Sequence, residues 1–160
     1  MTKLNLPKTI KMVITDFDGV MTDNNVYISE DYKTTRRVNF RDIMGIYNLK
    51  KNNIEVAIIS GDKCAAIDVV AKNIGLNEVY QNIRVKIDVL KSILKKYSLS
   101  QEEYVYIGDE IIDFECLEYA KYKVTVPQAH KKIKEIAGIQ ITDSPAGEGA
   151  IREVADCLTD

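Results

Sequence analysis

The sequence has no tryptophan, one histidine, three prolines and three cysteines among its 160 residues. The cysteines, Cys64, Cys116 and Cys157, are odd in number and form no Cys-x-x-Cys pair, which excludes a disulfide framework or a zinc-finger pattern. A cysteine nucleophile such as Cys64 needs a nearby base, and His130 is the only histidine. No apolar run resembles a secretion signal or a membrane span. We therefore expect a cytoplasmic protein with free thiols and no membrane partner.

The chain also lacks an excess of charge of either sign. It has 22 basic and 24 acidic residues, for a net charge of −2 at pH 7. Proteins that bind nucleic acid usually carry a basic excess, so no nucleic-acid partner is expected. A hydrophobic fraction of 46% in 160 residues is ordinary for one globular unit. Residues 1–160 are predicted to form a single domain.

Short apolar runs alternate with helical patterns along the chain. The runs occupy residues 12–15, 55–60, 104–107 and 122–126. Continuous apolar runs that end at glycine or aspartate are typical of buried parallel strands. Apolar residues at helical spacing follow the later runs, over residues 66–74, 87–97 and 111–120. This alternation predicts an α/β fold with a doubly wound parallel sheet.

One segment departs from the alternation. Residues 26–28 and 34–40 flank a polar turn at residues 29–33. This pattern predicts an antiparallel β-hairpin, over about residues 24–40, that projects from the sheet.

Polar residues follow three of the predicted strands. Asp16 and Asp18 follow the first strand, Ser60 the second, and Asp109 with Asp113 the third. Because parallel strands bind ligands at their carboxyl ends, these side chains are expected to converge. Clustered carboxylates repel one another unless a cation lies among them, and an all-oxygen set favours Mg²⁺. We predict a magnesium site formed by the four aspartates.

A phosphate ester beside this cation would give the two first aspartates different tasks. Asp16 can attack phosphorus and form an aspartyl-phosphate. Asp18 can protonate the leaving oxygen and then activate water.

The phosphate oxygens need donors and positive charge. Ser60 and the backbone N–H groups of Gly61 and Asp62 are predicted to hold these oxygens at the start of a helix. Lys86, also near a helix start, can neutralise the charge that develops during transfer.

Each part of this set has a simpler interpretation when it stands alone. An Asp-x-Asp-Gly stretch can be a calcium loop, but an EF-hand has its glycine at position six, whereas Gly19 is at position four. Asp109 and Asp113 also suit the N-terminus of a helix. Ser60 suits a turn, and Lys86 suits an exposed surface. The prediction therefore depends on the whole set in its order along the chain.

The same residues resemble the motifs of the haloacid dehalogenase superfamily. Residues 16–23, Asp-Phe-Asp-Gly-Val-Met-Thr-Asp, resemble the first motif. Ser60-Gly61, Lys86 and residues 108–113 resemble the second, third and fourth motifs in order. The resemblance implies a Mg²⁺-dependent phosphatase with Asp16 as nucleophile and Asp18 as acid/base. It also implies that Asp16, the backbone carbonyl of Asp18, and Asp109 hold Mg²⁺, with Asp113 in contact with the ion or just behind it.

The short distance between the first two motifs leaves no room for a helical cap. The chain thus resembles the capless branch, and especially the 3-deoxy-D-manno-octulosonate 8-phosphate phosphatases, through residues 38–46 and 147–153. That resemblance implies a sugar-acid phosphate as substrate and a product used in lipopolysaccharide biosynthesis. It also implies a homotetramer in which hairpins associate and a neighbouring subunit covers each site.

The exact sugar stays open. Octulosonate phosphatases usually carry Thr-Gly-Arg at the second motif, whereas this chain has Ser-Gly-Asp-Lys, which resembles the phosphatases of nine-carbon sugar-acid 9-phosphates such as 2-keto-3-deoxynononate and N-acylneuraminate. Arg41 fits the octulosonate enzymes better. Arg41, Asp62 and Lys63 are therefore candidate substrate-binding residues, because arginine suits a carboxylate and aspartate suits hydroxyl groups.

Two other classes of protein remain as alternatives. Some relatives are non-catalytic oligomerisation or regulatory modules, although the intact Asp16, Asp18, Lys86 and Asp109 oppose that interpretation. A receiver domain also combines acidic residues with a Ser/Thr and a lysine. Receivers lack the Asp-x-Asp-Gly stretch, and their phosphate acceptor lies on a later strand than their acidic pair.

Overall fold

The fold is built on a parallel sheet of six strands, seen in a computed structural model that describes residues 4–160. The strands of this sheet are β1 (Met12–Thr15), β4 (Glu55–Ile59), β5 (Glu78–Tyr80), β6 (Tyr104–Ile107), β7 (Tyr122–Thr125) and β8 (Gln140–Ile141). Their spatial order is β5-β4-β1-β6-β7-β8, and every neighbouring pair is parallel. The predicted doubly wound α/β class is confirmed.

Helices cover both faces of this sheet. They are α1 (Phe40–Lys51), α2 (Ala65–Ile74), α3 (Lys86–Lys96), α4 (Phe114–Tyr119), α5 (Lys131–Lys134) and α6 (Ala150–Thr159), with a 3₁₀ turn at Ile111–Asp113 before α4. Successive strand residues point to opposite faces, so Val13 packs with α1, α2 and α6 while Ile14 packs with α3, α4 and α5. Burial of both faces explains why the strands are apolar without alternation.

The centre of the sheet determines where the polar residues lie. Thr15, the last residue of β1, pairs with Ile58 of β4 and Ile107 of β6. The strands therefore end almost in line, and the residues that follow them emerge together at the carboxyl edge. Asp16 and Gly108 occupy these positions directly after β1 and β6.

The projecting hairpin is present but shorter than predicted. Its ladder joins only β2 (Tyr27–Ile28) and β3 (Thr34–Thr35), with an isolated antiparallel bridge between Thr22 and Val38 at its base. The predicted second strand, residues 34–40, ends at Thr35, and its last predicted residue, Phe40, instead begins α1. The side chain of Asn39 accepts a hydrogen bond from the Arg41 N–H and caps that helix.

Helices α1 and α6 pack against each other unusually closely. A Cβ atom at Gly45 would lie 2.8 Å from the Cα of Arg152, so only glycine fits there. The buried carboxylate of Asp42 accepts hydrogen bonds from the N–H groups of Gly149, Ile151 and Arg152 at the start of α6. These contacts give residues 41–45, Arg-Asp-Ile-Met-Gly, a structural role.

Within residues 4–160, no helix is both long enough and apolar enough to cross a membrane.

Candidate active site

Three carboxylates meet at the carboxyl edge of the sheet. Asp16 follows β1, and Asp109 and Asp113 follow β6, the strand beside it. One oxygen from each lies within 4.8 Å of the others, and all three side chains are buried. Such crowding costs free energy in the absence of positive charge, because burial and repulsion both disfavour the ionised forms.

Lys86 supplies one positive charge to this cluster. It is the first residue of α3, and its Nζ lies 2.8 Å from Oδ2 of Asp16 and 2.8 Å from Oδ1 of Asp113. Burial opposes the charge on Lys86, but Asp113 and Asp16 outweigh it and raise its pKa above the ordinary value. Lys86 is therefore a protonated lysine in contact with the predicted nucleophile.

Asp113 is fully engaged by protein donors. Its Oδ1 accepts hydrogen bonds from Lys86 and from the buried hydroxyl of Tyr106, both at 2.8 Å. Its Oδ2 accepts from the backbone N–H groups of Asp109 at 3.2 Å and Glu110 at 3.3 Å. With two donors on each oxygen, Asp113 is suited to fix Lys86 and the loop after β6.

The remaining acidic groups fit a divalent cation. Oδ1 of Asp109 is a buried oxygen for which no residue among 4–160 provides a hydrogen-bond donor. Burial raises the pKa of Asp109 to about 7, and repulsion from Asp113 is the second largest cause. The same two causes, in the same order, hold the pKa of Asp16 well above its ordinary value. A bound cation would lower both pKa values by replacing repulsion with attraction. The all-oxygen set matches Mg²⁺.

Space beside Asp109 comes from a glycine. Gly19 has a φ of +83°, and a Cβ atom built on it would lie 2.0 Å from Oδ2 of Asp109. Gly19 thus permits the sharp turn after β1 and the close approach of Asp109.

Asp18 lies at the mouth of the site, and its side chain is 23% exposed. Its Oδ1 accepts hydrogen bonds from Thr22 Oγ1 at 3.1 Å and from Arg36 Nε at 3.3 Å. Arg36 follows the second hairpin strand and has a side chain only 7% exposed. Arg36 was not predicted as a site residue, because nothing in the local sequence pattern links the hairpin with the first motif.

The predicted phosphate loop lies between β4 and α2. Ser60 is buried, and its Oγ accepts a hydrogen bond from the N–H of Asp62 at 3.2 Å. The loop does not start the helix as predicted, since α2 begins at Ala65 after Cys64. The carboxylate of Asp62 bonds to Arg36, whereas Lys63 is exposed and forms no ion pair within the described part of the chain.

Arg41 is not brought to the carboxylates. It lines a separate cavity of about 1050 Å³ between the N-terminal segment and α6, along with Arg152, Glu148 and Asp156. None of the aspartates of the predicted metal site lines this cavity.

Comparisons with known proteins agree with this geometry. The sequence profile of the haloacid dehalogenase-like hydrolase family matches residues 64–154. The 3-deoxy-D-manno-octulosonate 8-phosphate phosphatase of Salmonella typhi is 32% identical over 151 residues, which are 94% of this chain and 80% of that protein. The chain belongs to the haloacid dehalogenase-like hydrolases.

Solved structures of this hydrolase family have the same fold. A crystal structure of the Moraxella catarrhalis octulosonate 8-phosphate phosphatase, in complex with magnesium, phosphate and KDO, superposes with a TM-score of 0.89 at 28% identity. The match covers 94% of this chain and 86% of that one. The cobalt-bound Haemophilus influenzae phosphatase superposes with a TM-score of 0.87 at 26% identity, over 94% and 88% of the two chains. As a member of this family, the chain is an enzyme of the phosphomonoesterase type that uses Mg²⁺.

Two further residues of the site were missed from sequence. Thr22 is the threonine of the first motif, and its hydroxyl joins Asp18 to the N–H of Gly19. Tyr106 reads as an ordinary apolar strand residue, yet its hydroxyl holds Asp113. The position of Tyr106 two residues before Gly108, on a central strand, is the signal that could have identified it.

Proposed function

We propose that this protein hydrolyses 3-deoxy-D-manno-octulosonate 8-phosphate to the free sugar acid and inorganic phosphate. The observation that carries this proposal is the similarity to the Moraxella catarrhalis phosphatase, whose structure contains magnesium, phosphate and the sugar acid. The identity of 32% to the Salmonella typhi phosphatase supports it.

The first half of the reaction uses Asp16 and Asp18. A carboxylate oxygen of Asp16 attacks phosphorus, and the bond between phosphorus and the sugar oxygen breaks. The electron pair of that bond goes to the sugar oxygen, which takes a proton from Asp18. Lys86, 2.8 Å from Oδ2 of Asp16, stabilises negative charge as the aspartyl-phosphate forms.

The second half regenerates the enzyme. Asp18, now a carboxylate, takes a proton from a water molecule whose oxygen attacks phosphorus. The bond between phosphorus and Asp16 breaks, and its electron pair returns to the Asp16 carboxylate. Inorganic phosphate leaves with the oxygen that the water supplied. Ser60 and the N–H groups of Gly61 and Asp62 are the proposed donors to the phosphate oxygens.

Asp16, Asp109 and the backbone carbonyl of Asp18 are the groups we propose as Mg²⁺ ligands. When bound, the ion neutralises carboxylate and phosphate charge and thereby admits the anionic substrate. Asp113, engaged by four protein donors, would hold Lys86 and Asp109 in place from behind the ion.

A nine-carbon sugar-acid 9-phosphate is the second candidate substrate. Asp62 favours it, because the octulosonate enzymes usually carry arginine there, whereas the Ser-Gly-Asp-Lys stretch resembles the nine-carbon phosphatases and an aspartate suits hydroxyl groups. Lys63, exposed beside Asp62, and Arg41, in the separate cavity, could reach a substrate only from the periphery of the site.

The assembly forms part of the same proposal. We infer a capless catalytic domain that forms a cytoplasmic homotetramer, with its product entering lipopolysaccharide biosynthesis. Exposed apolar side chains of the hairpin support association through it: Val26, Tyr27, Ile28 and Tyr32 are between 45% and 91% exposed. Phe40, at the start of α1, extends this patch with 78% exposure.

The test is phosphate release from a panel of substrates. Wild-type protein is assayed with the octulosonate 8-phosphate, with both nine-carbon 9-phosphates and with glucose 6-phosphate, in Mg²⁺ and after chelation. We expect the highest kcat/KM for the octulosonate ester, with loss of activity on chelation and restoration by Mg²⁺. Higher kcat/KM for a nine-carbon ester would select the second candidate, and no turnover of any ester would contradict both.

The nucleophile is tested separately with Asp16→Asn. An amide cannot attack phosphorus, so kcat is expected to fall by about 10⁴-fold or more. Undiminished activity would exclude Asp16 as the nucleophile. An inactive wild type would instead favour a non-catalytic module.

A further inference from the structure

We propose that Arg36 is a positioning residue that orients Asp18 for proton transfer, and that Asp62 in turn holds Arg36. The proposal deepens the proposed function, on which it rests, because it assigns to Asp18 the transfer of a proton to the leaving oxygen. In this proposal Asp62 acts on another residue of the protein, Arg36.

The hydrogen bonds on Asp18 are asymmetric. Thr22 Oγ1 and Arg36 Nε both donate to Oδ1, at 3.1 Å and 3.3 Å. Within residues 4–160, no donor reaches Oδ2. A carboxyl group with one oxygen held by two donors cannot rotate freely, so Oδ2 is the oxygen left to exchange a proton with the substrate.

Arg36 is itself fixed from the other side. Its NH2 group bonds to Oδ2 of Asp62, and its NH1 group lies 3.4 Å from Thr34 Oγ1. The Arg36 side chain is nearly buried, whereas that of Asp62 is 62% exposed. Three groups of one planar guanidinium therefore connect the hairpin, the first-motif loop and the second-motif loop.

The neighbouring arginine shows that this placement is specific. Arg37 points to the opposite side of the segment, where Nε bonds to Asp23 at 3.1 Å and NH2 bonds to Glu148. The two arginines therefore have different partners, and only Arg36 contacts a residue of the proposed catalytic set.

The contact between Arg36 and Asp62 accounts for the aspartate at position 62, where octulosonate phosphatases usually carry arginine. An arginine at position 62 would face the guanidinium of Arg36 with like charge, whereas Asp62 pairs with it. Arg36 and Asp62 are thus expected to be functionally coupled, and substitution of either should disturb Asp18.

The test compares two phosphate esters whose leaving groups differ in their need for a proton. A sugar alkoxide is a poor leaving group that needs a proton from Asp18, whereas p-nitrophenolate leaves readily without one. The quantity measured is the rate constant of leaving-group release in a single turnover at saturating enzyme, because the second half of the reaction, in which Asp18 acts as base, is common to both esters. We expect Arg36→Gln to lower this rate constant for the octulosonate 8-phosphate by about 10-fold to 100-fold, but for p-nitrophenyl phosphate by less than about 3-fold. KM should change little for either ester.

Three further variants accompany Arg36→Gln. Asp62→Asn should shift the ratio of the two rate constants in the same direction by a smaller factor, and Arg36→Lys should recover part of the rate that Arg36→Gln loses. If Arg36→Gln does not fold, as judged by its melting temperature, the ratio measured for Asp62→Asn and Arg36→Lys decides the matter. Arg37→Gln is the matched control: it removes the same charge one residue along and should leave the ratio unchanged.

Equal losses on both esters would overturn the proposal, as would a change confined to KM, which would make Arg36 a substrate-binding residue. The outcome is separable from that of the proposed function. If wild type hydrolyses a different alkyl phosphate of the panel, the comparison uses that ester. Arg36 is then tested even though the octulosonate assignment has failed.

Discussion

Nζ of Lys86 lies 2.8 Å from Oδ2 of Asp16, and the Lys86 side chain has no exposure to solvent. The ammonium group is thus in contact with the proposed nucleophile before any substrate arrives, and a second carboxylate, Asp113, prevents it from moving away. Because the charge is already oriented, no free energy is spent on reorganisation during phosphoryl transfer.

Replacement of Lys86 by methionine is expected to lower kcat by about 10²-fold to 10³-fold, because the charge that stabilises the transition state is lost while the volume is kept. The measurement is steady-state phosphate release. Lys91→Met provides the control, since Lys91 lies on the same helix with its Nζ 5.2 Å from the ring centre of Tyr119. A similar loss in both variants would contradict the assigned role.

Mg²⁺ affinity is expected to depend on pH through Asp109. Its pKa of about 7 in the metal-free protein means that the group is mostly protonated at pH 6 and mostly ionised at pH 8. The ion needs the ionised form, so protonation of Asp109 alone should weaken binding about 10-fold when the pH falls from 8 to 6, and protonation of Asp16, whose pKa is also raised, would add to this loss. Calorimetric titration with Mg²⁺ at both pH values measures this. An affinity that does not change with pH would exclude protonation of Asp109 in this range.

Gly19→Ala is expected to abolish activity and lower the free energy of unfolding by about 1–3 kcal/mol. The new methyl group would occupy the position of the Asp109 carboxylate. Gly138→Ala is the matched control, because Gly138 has a φ of +77° and a Cβ atom there would have no neighbour within 4 Å. Its cost is that of backbone strain alone, about 1 kcal/mol. Urea unfolding separates the two effects, and equal costs would show that the clash is relieved.

Asp42→Ala is expected to lower the free energy of unfolding by about 2–4 kcal/mol, since three N–H groups at the start of α6 lose a charged acceptor. Asp156→Ala, which removes a half-exposed ion pair from the same helix, should cost less than about 1 kcal/mol. Urea unfolding of both variants measures the difference. A small effect at Asp42 would mean that water replaces the lost cap.

The sequence was most informative where local pattern and buried position coincide. The boundaries of β1 and β6 agree with the predicted ones, because their apolar runs end at residues that must turn. Two short strands, β5 and β8, were not predicted. Each has only two or three residues, and these pair through the ladder with no strong pattern of their own.

The contacts of the site were less predictable than its members. The spacing of Asp16 and Asp109 after adjacent strands indicates that they converge. The partners of Asp18 and Asp62 cannot be read in the same way, because Arg36 reaches both from a hairpin 18 residues after Asp18 and 26 residues before Asp62. Such partners depend on how the hairpin packs, which local periodicity does not encode.

The opposite directions of Arg36 and Arg37 constrain how this protein can vary in length. A residue inserted between Thr35 and Arg36 would exchange the two destinations, because each side chain would turn to the other side of the segment. Arg37 would then face the site, and Arg36 would face Glu148. The exposed tip of the hairpin, at Asp31 and Tyr32, bears no such constraint within one subunit, so an insertion there is expected to disturb only the association proposed for the hairpin.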